Sequence, residues 1–217
     1  AVLAVLALVA RPLAQEGVKE SDRIREAIVV LDEVMSAGDS AVPGNILEKA
    51  EAIAVFPSLV KAGFVVGGSR GHGVISVRDP KSGAWSSPAF LTITGGSIGL
   101  QIGAQAVDLV LVVQNRRGLD QLLKNQFKIG ADASVAAGPV GRTAAAQTDA
   151  AMTAEILSWS RSRGVFAGVA LEGATLRGDD DANLDLFGKR LEMRQIVTGA
   201  IPVPAAAEAL ISRLSKF

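Results

Sequence analysis

The chain has a single histidine, His72, inside the run Gly67-Gly-Ser-Arg-Gly-His-Gly73. A Ser-His-Asp arrangement would have to use it, and it sits within a glycine-rich stretch rather than beside an obvious nucleophile. It is read as a turn residue, and no catalytic residue is assigned. The same run lacks both the G-x-G-x-x-G spacing and the G-K-[ST] ending of phosphate loops. The adjoining segment, Val74-Ile-Ser-Val-Arg78, alternates as a strand rather than opening a helix. A hairpin turn whose backbone amides and Arg70 touch an anionic head group suits it better. Cysteine is absent, which removes disulfides, thiolate metal ligands and a cysteine nucleophile. Asp179, Asp180 and Asp181 are consecutive, without the ligand spacing of a calcium loop, and read as a helix cap. Neither a metal nor a cofactor is assigned.

Cationic groups are the remaining chemistry. Net charge is zero, but residues 11–51 carry a net of −4, residues 52–178 a net of +5 and residues 179–217 a net of −1. The basic middle is compatible with an anionic partner and too weak for a nucleic-acid binder. Arg161 and Arg163 form a basic pair at an expected hairpin tip, and Arg116 and Arg117 another at a helix start. For contact with an anionic surface the first choice is Arg161 and Arg163, with Arg70 and Lys61 second.

The elements that must carry these side chains are set by periodicity. Ile24, Ala27, Ile28, Leu31, Val34 and Met35 recur on one face, which predicts a helix over Glu16 to Ala37 closed by Gly38. Pro43 starts a short second helix. A strand from Ala52 ends at Pro57, and the glycines after Val66 are expected to reverse the chain. Gly95-Gly96 is read as another reversal. Strands are predicted over Ser97 to Gln105, Val107 to Val113, Phe127 to Val135, Thr153 to Ser160 and Val165 to Leu176. Arg116 to Gln126 and Ala205 to Leu214 are predicted helices. The fold class is α+β: a curved, mostly antiparallel, barrel-like sheet flanked by short helices, in one domain spanning residues 16–217.

Several segments carry a resemblance. Ile53-Ala-Val-Phe-Pro57, Lys61-Ala-Gly-Phe-Val-Val-Gly-Gly68 and Gly71-His-Gly-Val74 resemble the opening signature of the SYLF domain family. Trp85-Ser-Ser-Pro88, Gly99-Leu-Gln-Ile-Gly-Ala-Gln105, Ala137-Gly-Pro-Val-Gly-Arg142 and Gly164-Val-Phe-Ala-Gly-Val-Ala-Leu-Glu-Gly173 come next, in the family's order. The resemblance implies a non-enzymatic lipid-binding module for anionic phospholipids, phosphoinositides among them. It also implies a protein-interaction alternative, since some eukaryotic members bind actin. Two segments depart from the family pattern: Leu157-Ser-Trp-Ser160 replaces a Tyr-rich strand, and Phe187 keeps bulk without a hydroxyl.

Ala1 to Ala10 is an unbroken apolar run, too short to span a bilayer and of the length of a signal-peptide core. Export, with periplasmic or membrane-associated residence, is the expectation for residues 1–14, with cytoplasmic residence as the alternative. The apolar run has no polar face with which to end a packed layer. A chain beginning at Glu16 should therefore keep the thermal midpoint of the longer one; a large drop would place the segment in the core.

Overall fold

The computed structural model describes residues 13–38, 41–63, 66–98, 103–139, 153–162, 165–168 and 173–217. The expected export segment lies almost wholly outside them. Among the described residues the strands are β1 (Ala52–Gly63), β2 (Val66–Val77), β3 (Ala89–Ile98), β4 (Gly103–Val113), β5 (Phe127–Lys128), β6 (Val135–Ala137), β7 (Ile156–Ser162), β8 (Val165–Gly168) and β9 (Thr175–Gly178). The helices are α1 (Leu13–Ser36), α2 (Gly44–Glu48), α3 (Arg116–Leu122), α4 (Asp180–Phe187), α5 (Met193–Thr198) and α6 (Glu208–Leu214). All nine strands join one curled sheet in the order β5-β9-β3-β2-β1-β4-β7-β6, with β8 also on β7. Every pairing is antiparallel except β6 with β7. This is the α+β, mostly antiparallel curved sheet expected.

Both faces of the central strands are buried, and period-two alternation divides their side chains between two cores. Ala52, Ala54 and Phe56 of β1 pack with Leu109, Leu111 and Val113 of β4 beneath α3 and α5. Ile53 and Val55 pack with Val110 and Val112 beneath α1, α2 and α6. Ile24, Ala27, Val30, Leu31 and Val34 of α1 are all buried there. Each contributes roughly 1–3 kcal/mol of apolar burial, so α1 is part of the fold and not an appendage. Gly38, at φ 57°, closes that helix as expected.

The glycine run departs from expectation. Gly67 to Gly73 lies within β2, paired to β1 on one side and β3 on the other. A Cβ on Gly73 would stand 2.5 Å from the Val55 carbonyl oxygen and 2.6 Å from the Phe56 ring. One on Gly71 would stand 2.7 Å from Leu59 Cδ1. The glycines therefore make room for side chains of β1 that lie across β2, and freedom to turn is not their purpose there. Gly95 and Gly96 likewise run on inside β3.

The strand expected over Ser97 to Gln105 is divided. Ser97 pairs with Gly67 and Gly103 with Gly63, so its two ends belong to β3 and β4, on opposite sides of the β1–β2 pair. Gly99 is outside the described residues. The strand expected over Phe127 to Val135 breaks at Gly130, φ 84°, where the Lys128 N–H donates to Asp132 Oδ2 at 2.6 Å. Helix α5 is not among the expected elements; a capping box between Glu192 and Gln195 starts it. The expected hairpin is present as β7–β8, with Arg161 inside β7 opposite Phe166.

These contacts separate two glycines of one strand. Gly73→Ala should lower the unfolding free energy by about 1–3 kcal/mol through overpacking. Gly68→Ala, whose nearest neighbour would be 3.8 Å away, should be close to neutral in the same denaturant titration.

Candidate functional site

Beside the N-terminal half of α1 lies a groove of about 630 Å³. Lys19, Arg23 and Glu26 of α1 form one wall; Ser58 and Val60 of β1 and Arg70 and His72 of β2 form the other. Val60 is 49% exposed, one of the few large apolar side chains open to solvent. It pairs with Arg70 across the strands, so the two share one face.

A one-residue bulge in β1 shapes this wall. The register of β1 with β2 shifts between Val55 and Val60, and that with β4 between Phe56 and Leu59. Pro57 supplies no amide donor there. Ser58 adopts φ 53°, the positive-φ residue other than glycine among those described. Such a conformation costs about 1–3 kcal/mol and persists only where its surroundings over-determine it. Asp108 does so. Its Oδ1 accepts the Ser58 N–H at 3.0 Å, and its Oδ2 accepts from Arg161 Nε at 2.7 Å. Arg161 also pairs with Glu33 of α1, so one chain of charges runs from helix to bulge.

Asp179 joins two of the residues that line the groove, Arg23 and His72. It caps α4, accepting the Ala182 N–H at 3.4 Å. Its Oδ2 receives Arg23 at 3.0 Å and His72 Nδ1 at 3.1 Å. Arg23 lies over the Phe90 ring, 4.9 Å from its centroid, and pairs with Glu20 at 3.3 Å. Burial works to raise the Asp179 carboxyl, but the His72 hydrogen bond, the Arg23 charge and the Ala182 N–H together hold it below its ordinary value. Glu20 is raised, by burial, against the pull of Arg23.

The sequence-derived residues are distributed unevenly about this site. Arg70 lines the groove, exposed and without an ion-pair partner among the described residues. Lys61 comes after Val60 in β1 and pairs in register with Ser69 and Gln105, not with Arg70. Arg161 is held by Asp108 and Glu33, and Arg163 lies outside the described residues. His72 stands in a strand and is bound to a carboxylate, not free in a turn. Asp179 caps its helix as read, yet its larger role, joining α1 to β2, was missed, as were Lys19, Arg23 and Asp108. The one signal for Asp108 was a carboxylate interrupting an apolar strand. Among the described residues no group of three His, Asp or Glu side chains is placed to hold a metal ion, and no helix is long and apolar enough to cross a membrane.

A carboxyl with a lowered folded-state pKa contributes stability above its unfolded value, lost as pH falls through the folded one. Glu20 acts in the opposite sense, its contribution present in acid and lost as pH rises. Asp179→Asn should therefore destabilise at pH 7 by about 1–3 kcal/mol and shrink the difference from the parent below about pH 4. Thermal midpoints across pH 3–8 measure this.

Comparison with known proteins agrees with the motif order. The family model Ysc84, described as "Las17-binding protein actin regulator", matches residues 94–217, more than half of the chain. The chain is 33% identical over 180 residues to SH3 domain-containing YSC84-like protein 1 of Homo sapiens, covering 82% of this chain and 52% of that protein. It is 30% identical over 196 residues to Protein YSC84 of Saccharomyces cerevisiae, covering 89% of this chain and 41% of that protein. With LAS seventeen-binding protein 3 of the same yeast it shares 31% over 195 residues, covering 88% and 42%. The chain thus spans about half the length, or less, of these curated relatives, one of which is named for binding LAS seventeen. The motifs, the curled sheet and these matches agree: the chain belongs to the Ysc84 family, the family of the SYLF domain.

Proposed function

We propose that the chain is a non-enzymatic binding module that attaches to anionic phospholipid surfaces through the groove between α1 and the bulged end of β1. The observation that carries this reading is that Arg70, without an ion-pair partner among the described residues, stands opposite exposed Val60, beside Lys19 and His72. A cation next to an open apolar side chain suits an interface where phosphate lies beside acyl chain. The net of +5 over residues 52–178 acts in the same direction. Arg70 takes first place because Arg161 is engaged by two carboxylates; Lys61, Arg161 and Arg163 complete the proposed basic set. The expected export of residues 1–14 belongs to the same proposal, since it would bring the module to an envelope membrane.

Co-sedimentation with vesicles of phosphatidylcholine and phosphatidylglycerol tests it. Each basic side chain near an anionic surface is worth about 1 kcal/mol, so Arg70→Gln should weaken binding roughly five-fold. Screening over about 8 Å at physiological ionic strength means that several-fold more salt should release much of the bound protein. Binding indifferent to both changes would refute the electrostatic reading.

A second reading rests on the family description, "Las17-binding protein actin regulator", and on the relative named LAS seventeen-binding protein 3: the module binds a protein of the actin system. Co-sedimentation with actin filaments separates the two. Pelleting with filaments but not with vesicles would favour it.

A further inference from the structure

His72 is placed to regulate the groove as well as to line it. The ring is fixed by its Nδ1 contact to Asp179 Oδ2 at 3.1 Å, and its side chain is 43% exposed. A carboxylate only accepts, so in the neutral ring Nδ1 carries the proton and donates it. That leaves Nε2 as a bare acceptor with no partner among the described residues. An anionic ligand oxygen then meets a lone pair. Adding a proton to Nε2 turns the same atom into a donor and places a full positive charge between Arg70 and Arg23.

The surroundings favour a response rather than a buffered one. From α1 the groove that His72 lines receives Lys19 and Arg23 as cations and Asp22 and Glu26 as anions, and Glu20 pairs with Arg23. From β2 it has Arg70 two residues away on the same face. Through Thr92 of β3 it lies in register with Arg177 of β9, and Asp179 opposes it from the start of α4. The groove lining itself holds Lys19, Arg23 and Arg70 against Asp22 and Glu26, so one added charge doubles its small positive excess. Asp179 does not cancel the gain by taking up the proton first, because Arg23 and the α4 amide hold it ionised into acid.

We propose that protonation of His72 gates the groove, so that mild acid strengthens its hold on an anionic surface; this rests on the groove being the binding site. Imidazole is the side chain whose charge ordinarily changes between pH 5 and 8. The device needs no movement of the fold, since Nδ1 keeps its carboxylate partner in both states.

Binding to vesicles of phosphatidylcholine with phosphatidylglycerol, whose phosphodiester keeps its charge over the range, is measured from pH 8.0 to 5.5 at constant ionic strength. The parent chain should bind about five-fold more tightly at the acid end, the worth of one charge near an anionic surface. His72→Gln, whatever its affinity at pH 8.0, should lose the increase and bind equally at both ends of the range. His72→Lys should bind at pH 8.0 as the parent does at pH 5.5. Thermal midpoints of both variants report whether they fold, and the lysine variant keeps the test open if the glutamine variant does not. A parent response that survives in His72→Gln overturns the proposal and assigns the effect to another group, Glu20 first. A parent that binds equally at every pH, yet weakens with Arg70→Gln, overturns the gating while leaving the groove as the site. No vesicle binding at any pH overturns both.

Discussion

The carboxylate of Asp179 joins three elements that have no covalent reason to meet: Arg23 from α1, His72 from β2 and the amide end of α4 all converge on it. Its charge is taken out of water, which costs free energy, and each partner offsets part of that cost. Because Arg23 also lies over Phe90 and against Glu20, the node ties the N-terminal half of α1 to β2, β3 and α4. Removing the carboxylate would leave Arg23 without its strongest partner and the α4 amides without a cap.

On the sheet wall of the groove the bulge of β1 does comparable work with backbone geometry. Ser58 bends the strand, Asp108 holds the bend, and Arg161 and Glu33 tie it to the same helix. The helix wall and the sheet wall of the groove are thus referenced to each other through ion pairs, not only through the apolar core beneath. Arg70 is left out of these pairs. This is the physical ground for regarding it as available to an external anion.

Much of the fold was legible because two-face burial imposes simple patterns. Helix α1 was readable from Ile24, Ala27, Leu31 and Val34, and β4 from its apolar run through Val113. The motif order identified the family. The glycine run was misjudged because glycine signals two things in sequence, a permissive φ and a missing side chain. Here Gly71 and Gly73 serve the second, yielding space to Leu59 and Phe56 of the adjacent strand. The division of 97–105 was hidden for a related reason: the alternation of small and apolar residues is the same at the end of β3 and at the start of β4. Of the site, Arg70 was named from charge and context. Its partners in the groove come from residue separations such as Arg23 to Asp179 and Asp108 to Arg161, and no local pattern encodes those.

The absence of cysteine permits a direct test of whether the groove meets a membrane. A single environment-sensitive fluorophore on Val60→Cys reports the groove, and one on Ala200→Cys, exposed beyond α5, reports the far side of the sheet. With phosphatidylglycerol-containing vesicles the account predicts a blue shift at position 60 and none at position 200. A shift at 200 with none at 60 would contradict it and place the binding surface elsewhere.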